Sequence, residues 1–110
     1  MANIIGRFYF KKTDSGNLIG EFSHNKHFRN FTESADLLEG DRNFIGKYLA
    51  TWQEDGIACL NTLNIKIKEK SNEGIFSLKW EDNDKQTFWG EGILCDGILI
   101  GDYRNFEDIK

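Results

Sequence analysis

One five-residue figure recurs four times along the chain: IIGRF at 4–8, LIGEF at 18–22, FIGKY at 44–48 and LIGDY at 99–103. Each copy runs apolar, isoleucine, glycine, charge, aromatic. In an extended strand alternate side chains point to opposite faces. The first, third and fifth positions therefore share one face: Ile4-Gly6-Phe8, Leu18-Gly20-Phe22, Phe44-Gly46-Tyr48 and Leu99-Gly101-Tyr103. The other face carries an isoleucine and a charge. A glycine on an inner face leaves room for a neighbouring aromatic ring and lets the strand coil sharply, and a small barrel needs both. The figure predicts strands that curl into a closed cylinder.

The remaining punctuation fits. Ser15-Gly16, Glu39-Gly40, Asp55-Gly56, Glu73-Gly74 and Asp96-Gly97 end strand patterns and supply turn chemistry. Asn83-Asp84 makes a further break. Cutting there predicts strands at 3–12, 17–23, 31–39, 43–53, 57–69, 75–82, 86–95 and 98–105, with 24–30 (HNKHFRN) as the one longer loop. Residues 31–39 (FTESADLLE) are also compatible with a helical turn. The chain has no proline, where about five would be average. Proline removes a ladder donor, so its absence suits a chain that is nearly all strand. Eight strands joined by short turns form a meander, and closing it removes both edges. The expected fold is all-β: an eight-stranded antiparallel up-and-down β-barrel, in a single domain over 1–110.

Composition narrows the partners. The net charge of −4 opposes nucleic-acid binding, and Lys66, Lys68 and Lys70 alternate with Ile65, Ile67 and Glu69 as an exposed strand face. No apolar run is long enough to span a bilayer. The opening MANIIGRFYFKK has neither a basic leader nor a cleavage motif, which predicts a cytoplasmic protein. Cys59 and Cys95 are read as reduced strand residues, since their spacing offers no zinc site.

Gly6-Arg7-Phe8, SGNLIGEFS (15–23) and DGILIGDY (96–103) together resemble the calycin barrels, especially avidin and streptavidin, whose first strand opens with glycine-x-aromatic. The resemblance implies a barrel with an end-opening cavity, often assembled as a dimer or tetramer. The biotin site is not matched, because Tyr9, Phe10, Lys11 and Lys12 stand where the family carries polar asparagine and serine.

Candidate functional residues follow from the barrel. Trp52, Trp80, Tyr48 and Tyr103 are the inward rings suited to wall a pocket. Trp89 falls on the face opposite Phe88 and Gly90, so it is expected to point outward. His24, Asn25 and His27 lie in the long loop and are expected to close the mouth. His24 and His27 have the spacing of two metal ligands, but no carboxylate or cysteine nearby completes a site. Ile5, Ile19, Ile45 and Ile100 are expected to form an outer apolar band suited to a homo-oligomer interface. The charges Arg7, Glu21, Lys47 and Asp102 alternate in sign, and closure of the last strand on the first would bring Asp102 beside Arg7. No nucleophile motif, phosphate loop or dinucleotide fingerprint is present. The expectation is a non-catalytic barrel without cofactor or metal that binds a small, partly planar molecule at one end. The alternative is a solid barrel acting as an interaction or self-association module.

Overall fold

The computed structural model describes residues 3–40, 43–68 and 74–106, apart from the side chains of His27 and Phe28. Its strands are β1 (Ile5–Lys12), β2 (Leu18–His24), β3 (His27–Gly40), β4 (Gly46–Glu54), β5 (Ile57–Ile67), β6 (Phe76–Asp82), β7 (Lys85–Cys95) and β8 (Ile98–Asn105). Each pairs antiparallel with the next, and β8 returns to β1, so the sheet closes as an up-and-down barrel. No helix among the described residues is long and apolar enough to cross a membrane. Lys70 lies outside the described residues.

Three two-residue turns hold the meander in register. Asp55-Gly56, Asn83-Asp84 and Asp96-Gly97 all have positive φ at both positions, between 50° and 78°. That is the type I′ geometry whose twist matches a hairpin. Aspartate and asparagine tolerate the left-handed region because their short polar side chains bond locally.

Closure depends on bare backbone at crossing points. A Cβ added to Gly20 would sit 1.8 Å from the Tyr9 carbonyl oxygen and 2.9 Å from the Phe10 ring. At Gly6 it would meet the Tyr103 ring at 2.5 Å. These are the rings lying over glycines of adjacent strands that the repeated figure predicts. On the outer face the closing ladder sets Arg7 directly across from Asp102, and Asp102 across from Glu91.

Two segments depart from the sequence reading. Residues 24–30 are not a loop: Asn25 and Lys26 form a tight turn, and β3 begins at His27. Residues 31–39 are strand throughout, because Phe31, Glu33, Ala35 and Leu37 alternate inward opposite β2 and β4. The third copy of the figure enters its strand late. Phe44 takes φ 69°, β4 begins only at Gly46, and Ile45 packs half-buried against the core.

The interior is divided by height. One half is filled by Phe10, Leu18, Leu63, Ile65, Leu78 and Leu99, all 2% exposed or less, and Phe44 meets Phe76 edge-on at 6.5 Å. The other half, at the β2–β3, β4–β5 and β6–β7 turns, is lined by aromatic rings and carboxyl groups.

Candidate functional site

The aromatic half is built from alternate inward residues of seven strands. Phe8, Phe22, Trp52, Trp80, Phe88 and Tyr103 form a circuit of edge-on and tilted rings with centroids 5.8–6.3 Å apart. Such contacts stabilise the wall beyond simple burial. They surround a hollow that opens to solvent at this end. The free space within it is about 370 Å³, open solvent included, of which about 20 Å³ can be occupied by the centre of a water-sized group. At its tightest the hollow has room for about one water molecule.

Three polar side chains face this hollow along with the rings: Glu33 from β3, His24 from β2 and Glu54 from β4. Glu33 is 4% exposed and sits on the ladder between Gly20 and Trp52. Its Oε2 accepts a hydrogen bond from the Trp80 indole N–H at 2.9 Å. Among the described residues no hydrogen bond reaches Oε1. Burial pushes the Glu33 carboxyl up to about 7, against the opposing effect of the Trp80 bond. Desolvation disfavours the charged form of an acid, so the two protonation states lie close in energy near neutral pH.

Glu54 anchors the rim. Its Oε1 accepts from the Trp52 indole N–H at 3.2 Å, and its Oε2 lies 3.5 Å from His24 Nε2. His24 Nδ1 accepts the Lys26 backbone N–H at 3.1 Å, which places the ring proton of the neutral imidazole on Nε2, toward Glu54. The imidazole stacks on Phe31 with centroids 5.6 Å apart. Burial also raises the Tyr103 hydroxyl, and the charges of Glu54 and then Glu33 raise it further. The thiol of Cys59, opposite Trp52 on β5, is raised by burial and then by Glu54 and Asp82. The field in this half of the barrel is negative, and among the described residues no lysine or arginine lines the hollow.

Trp52, Trp80, Tyr103 and His24 therefore come together. Tyr48 does not. It lies four residues before Trp52 on the same strand, about 13 Å away along it. There it is fully buried in the filled half, donating its hydroxyl to the Phe44 carbonyl at 2.8 Å. Asn25 stands outside the hollow and fastens the rim: its Oδ1 accepts the Ile5 N–H at 3.0 Å and its Nδ2 donates to the Asn3 carbonyl at 3.1 Å. The His27 side chain lies outside the described residues, and its backbone is in β3 directly across from His24. Neither histidine belongs to a flexible lid, since both sit on paired strands. Among the described residues no three metal-ligating side chains cluster.

The sequence places Phe8 and Phe22 on the inner face without marking them for this hollow, and it does not point to Glu33, Glu54 or Phe88. For Glu33 a signal exists: in Phe31-Thr32-Glu33-Ser34-Ala35 the alternation that turns Phe31 and Ala35 inward must also turn in the acid.

On the outer wall Ile5, Ile19 and Ile100 are about half exposed, but they do not make one band with Ile45. Ile45 is turned to the core, and the Arg7–Asp102 rung separates Ile5 from Ile100. Ile100 instead faces Ile93 across β7–β8 and Tyr9 across β1–β8. Tyr9 donates its hydroxyl to Glu21, which raises the phenol. Trp89 is exposed, with the Arg104 guanidinium 5.1 Å over its ring. Cys59 and Cys95 are free.

Comparison with protein-family models, with curated proteins and with solved structures finds no match to this chain.

Proposed function

We propose that this protein is a non-catalytic binding barrel that takes a small, partly planar ligand at its open end. The observation that carries the reading is the asymmetry of the interior. One half is packed solid with leucine, isoleucine, phenylalanine and tyrosine side chains. The other keeps two indoles, each tied by its N–H to its own carboxylate, around a hollow open to solvent. Binding sites of small ligands have this make-up, a mostly apolar wall with a few placed polar groups. The resemblance to calycin barrels likewise implies a cavity opening at one end of the cylinder. The reading is of a cytoplasmic protein, in keeping with its free thiols, and one that binds neither nucleic acid nor membrane.

The test is a panel of small planar acids, neutral molecules and amines titrated against a Trp89→Phe variant. Emission then comes from Trp52 and Trp80 alone. Saturable changes with at least one compound, lost in Trp52→Ala, are expected. A flat response across the whole panel would remove the reading.

A second reading is self-association through the outer wall. The rung Ile93–Ile100–Tyr9 favours it, because it places two exposed isoleucines on adjacent strands. Light scattering on the wild type and on Ile100→Glu separates the two. A ligand barrel keeps its mass and its ligand in the variant, whereas a self-associating one loses mass.

A further inference from the structure

We propose that the open-end hollow recognises a primary ammonium group carried on a flat apolar body, with Glu33 as its counter-ion. This rests on the ligand-binding reading above and names the class of ligand.

Size is the first argument. The hollow leaves about 20 Å³ for the centre of a water-sized group, room for one such group, and an –NH₃⁺ head is of that size. A trimethylated ammonium is not. The apolar body then lies in the wider mouth, against the Trp52 and Phe88 rings.

Charge is the second. Every titratable side chain facing the hollow is a carboxyl, a phenol or an imidazole: Glu33 on β3, Glu54 on β4, Tyr103 on β8 and His24 on β2. Cys59 on β5 stands behind Trp52. The inward residues of β1, β6 and β7 at this level are Phe8, Trp80 and Phe88. A carboxylate ligand would meet two like charges and no cation. An ammonium ion meets those charges and the negative faces of indole and phenol rings, which attract cations most when water is excluded.

Hydrogen bonding is the third. Glu33 is almost wholly buried, yet only one of its oxygens is occupied, by Trp80. The other oxygen borders the hollow, where a charged donor makes the strongest hydrogen bond to a carboxylate. Because Glu33 holds its proton up to about pH 7, an ammonium ion must displace that proton below this pH, so affinity falls as pH is lowered.

The experiment uses the full chain carrying Trp89→Phe and three probes of one skeleton: benzylamine, benzyl alcohol and benzyltrimethylammonium. At about pH 8.5, benzylamine should bind at least about tenfold more tightly than either of the others. Its affinity should fall on the order of tenfold between about pH 8.5 and pH 6. Glu33→Gln, with folding checked by circular dichroism, should remove both the preference for the amine and the pH dependence. If that variant does not fold, Glu54→Gln at the rim should weaken benzylamine and leave benzyl alcohol unchanged. Benzyl alcohol binding as tightly as benzylamine overturns the inference while leaving a ligand barrel in place. A pH dependence that survives Glu33→Gln overturns it too. Silence with all three probes and with the wider panel overturns both the inference and the function it rests on.

Discussion

Glu33 should make the protein less stable as pH rises, and replacing it should remove that loss. The side chain occupies a position that a neutral residue could fill, since its inward neighbours on β3 are Phe31 and Ala35. Its carboxyl titrates near 4.5 in the unfolded chain and is raised to about 7 in the fold. Below 4.5 both states hold the proton and the group is neutral in the balance. Between 4.5 and about 7 the unfolded chain releases its proton while the fold retains it, so stability falls as pH increases. Above about 7 the loss is complete. At roughly 1.4 kcal/mol per pH unit it amounts to about 3 kcal/mol, a large part of the 5–15 kcal/mol of a typical domain. Glu33→Gln keeps an acceptor for the Trp80 N–H and has no charge to bury. Urea melts of both proteins, followed by tryptophan fluorescence over a pH series, isolate the effect because all other titrations are shared. The midpoints should nearly coincide at about pH 4, and the variant's should lie roughly 1–3 M higher at about pH 8. Parallel curves across the whole range would refute the reasoning, and with it the claim that Glu33 is desolvated.

Three further outcomes are expected. Trp80→Phe removes the hydrogen bond that holds the Glu33 carboxyl down, so the pH at which stability levels off should move upward in the same melts. Gly20→Ala sets a methyl 1.8 Å from the Tyr9 carbonyl oxygen, where backbone must move; it should cost about 2–3 kcal/mol or more, seen as a lowered urea midpoint or as loss of the folded circular dichroism spectrum. Tyr48→Phe leaves the Phe44 carbonyl without its buried donor and should cost about 1–2 kcal/mol, with ligand binding unchanged because Tyr48 is in the filled half of the barrel.

Strand segmentation and the inner and outer faces are local properties, and the sequence carried them. Alternation turned Phe8, Phe22, Trp52, Trp80 and Tyr103 inward and Trp89 outward, the glycines marked where strands coil over one another, and the absence of proline permitted an unbroken ladder. The pairing of Arg7 with Asp102 also followed once closure was assumed. Height along the barrel was not legible. Tyr48 and Trp52 share a strand and a face, yet one is sealed in the core and the other walls the hollow. What separates them is the stagger of eight strands around the cylinder. That stagger is fixed by the closing of the whole ladder and by bulges such as those near Phe22 and Leu37, not by any residue's neighbours in sequence. The same stagger gathers Glu33, His24, Glu54 and Tyr103 from four strands to one end. The HNKHFRN segment departs from the loop expectation for a related reason: its residues are strand because β2 and β3 pair back to His24 and His27, a contact that propensity does not encode. Alternation tells each side chain which way to face, and only closure of the cylinder decides which side chains meet.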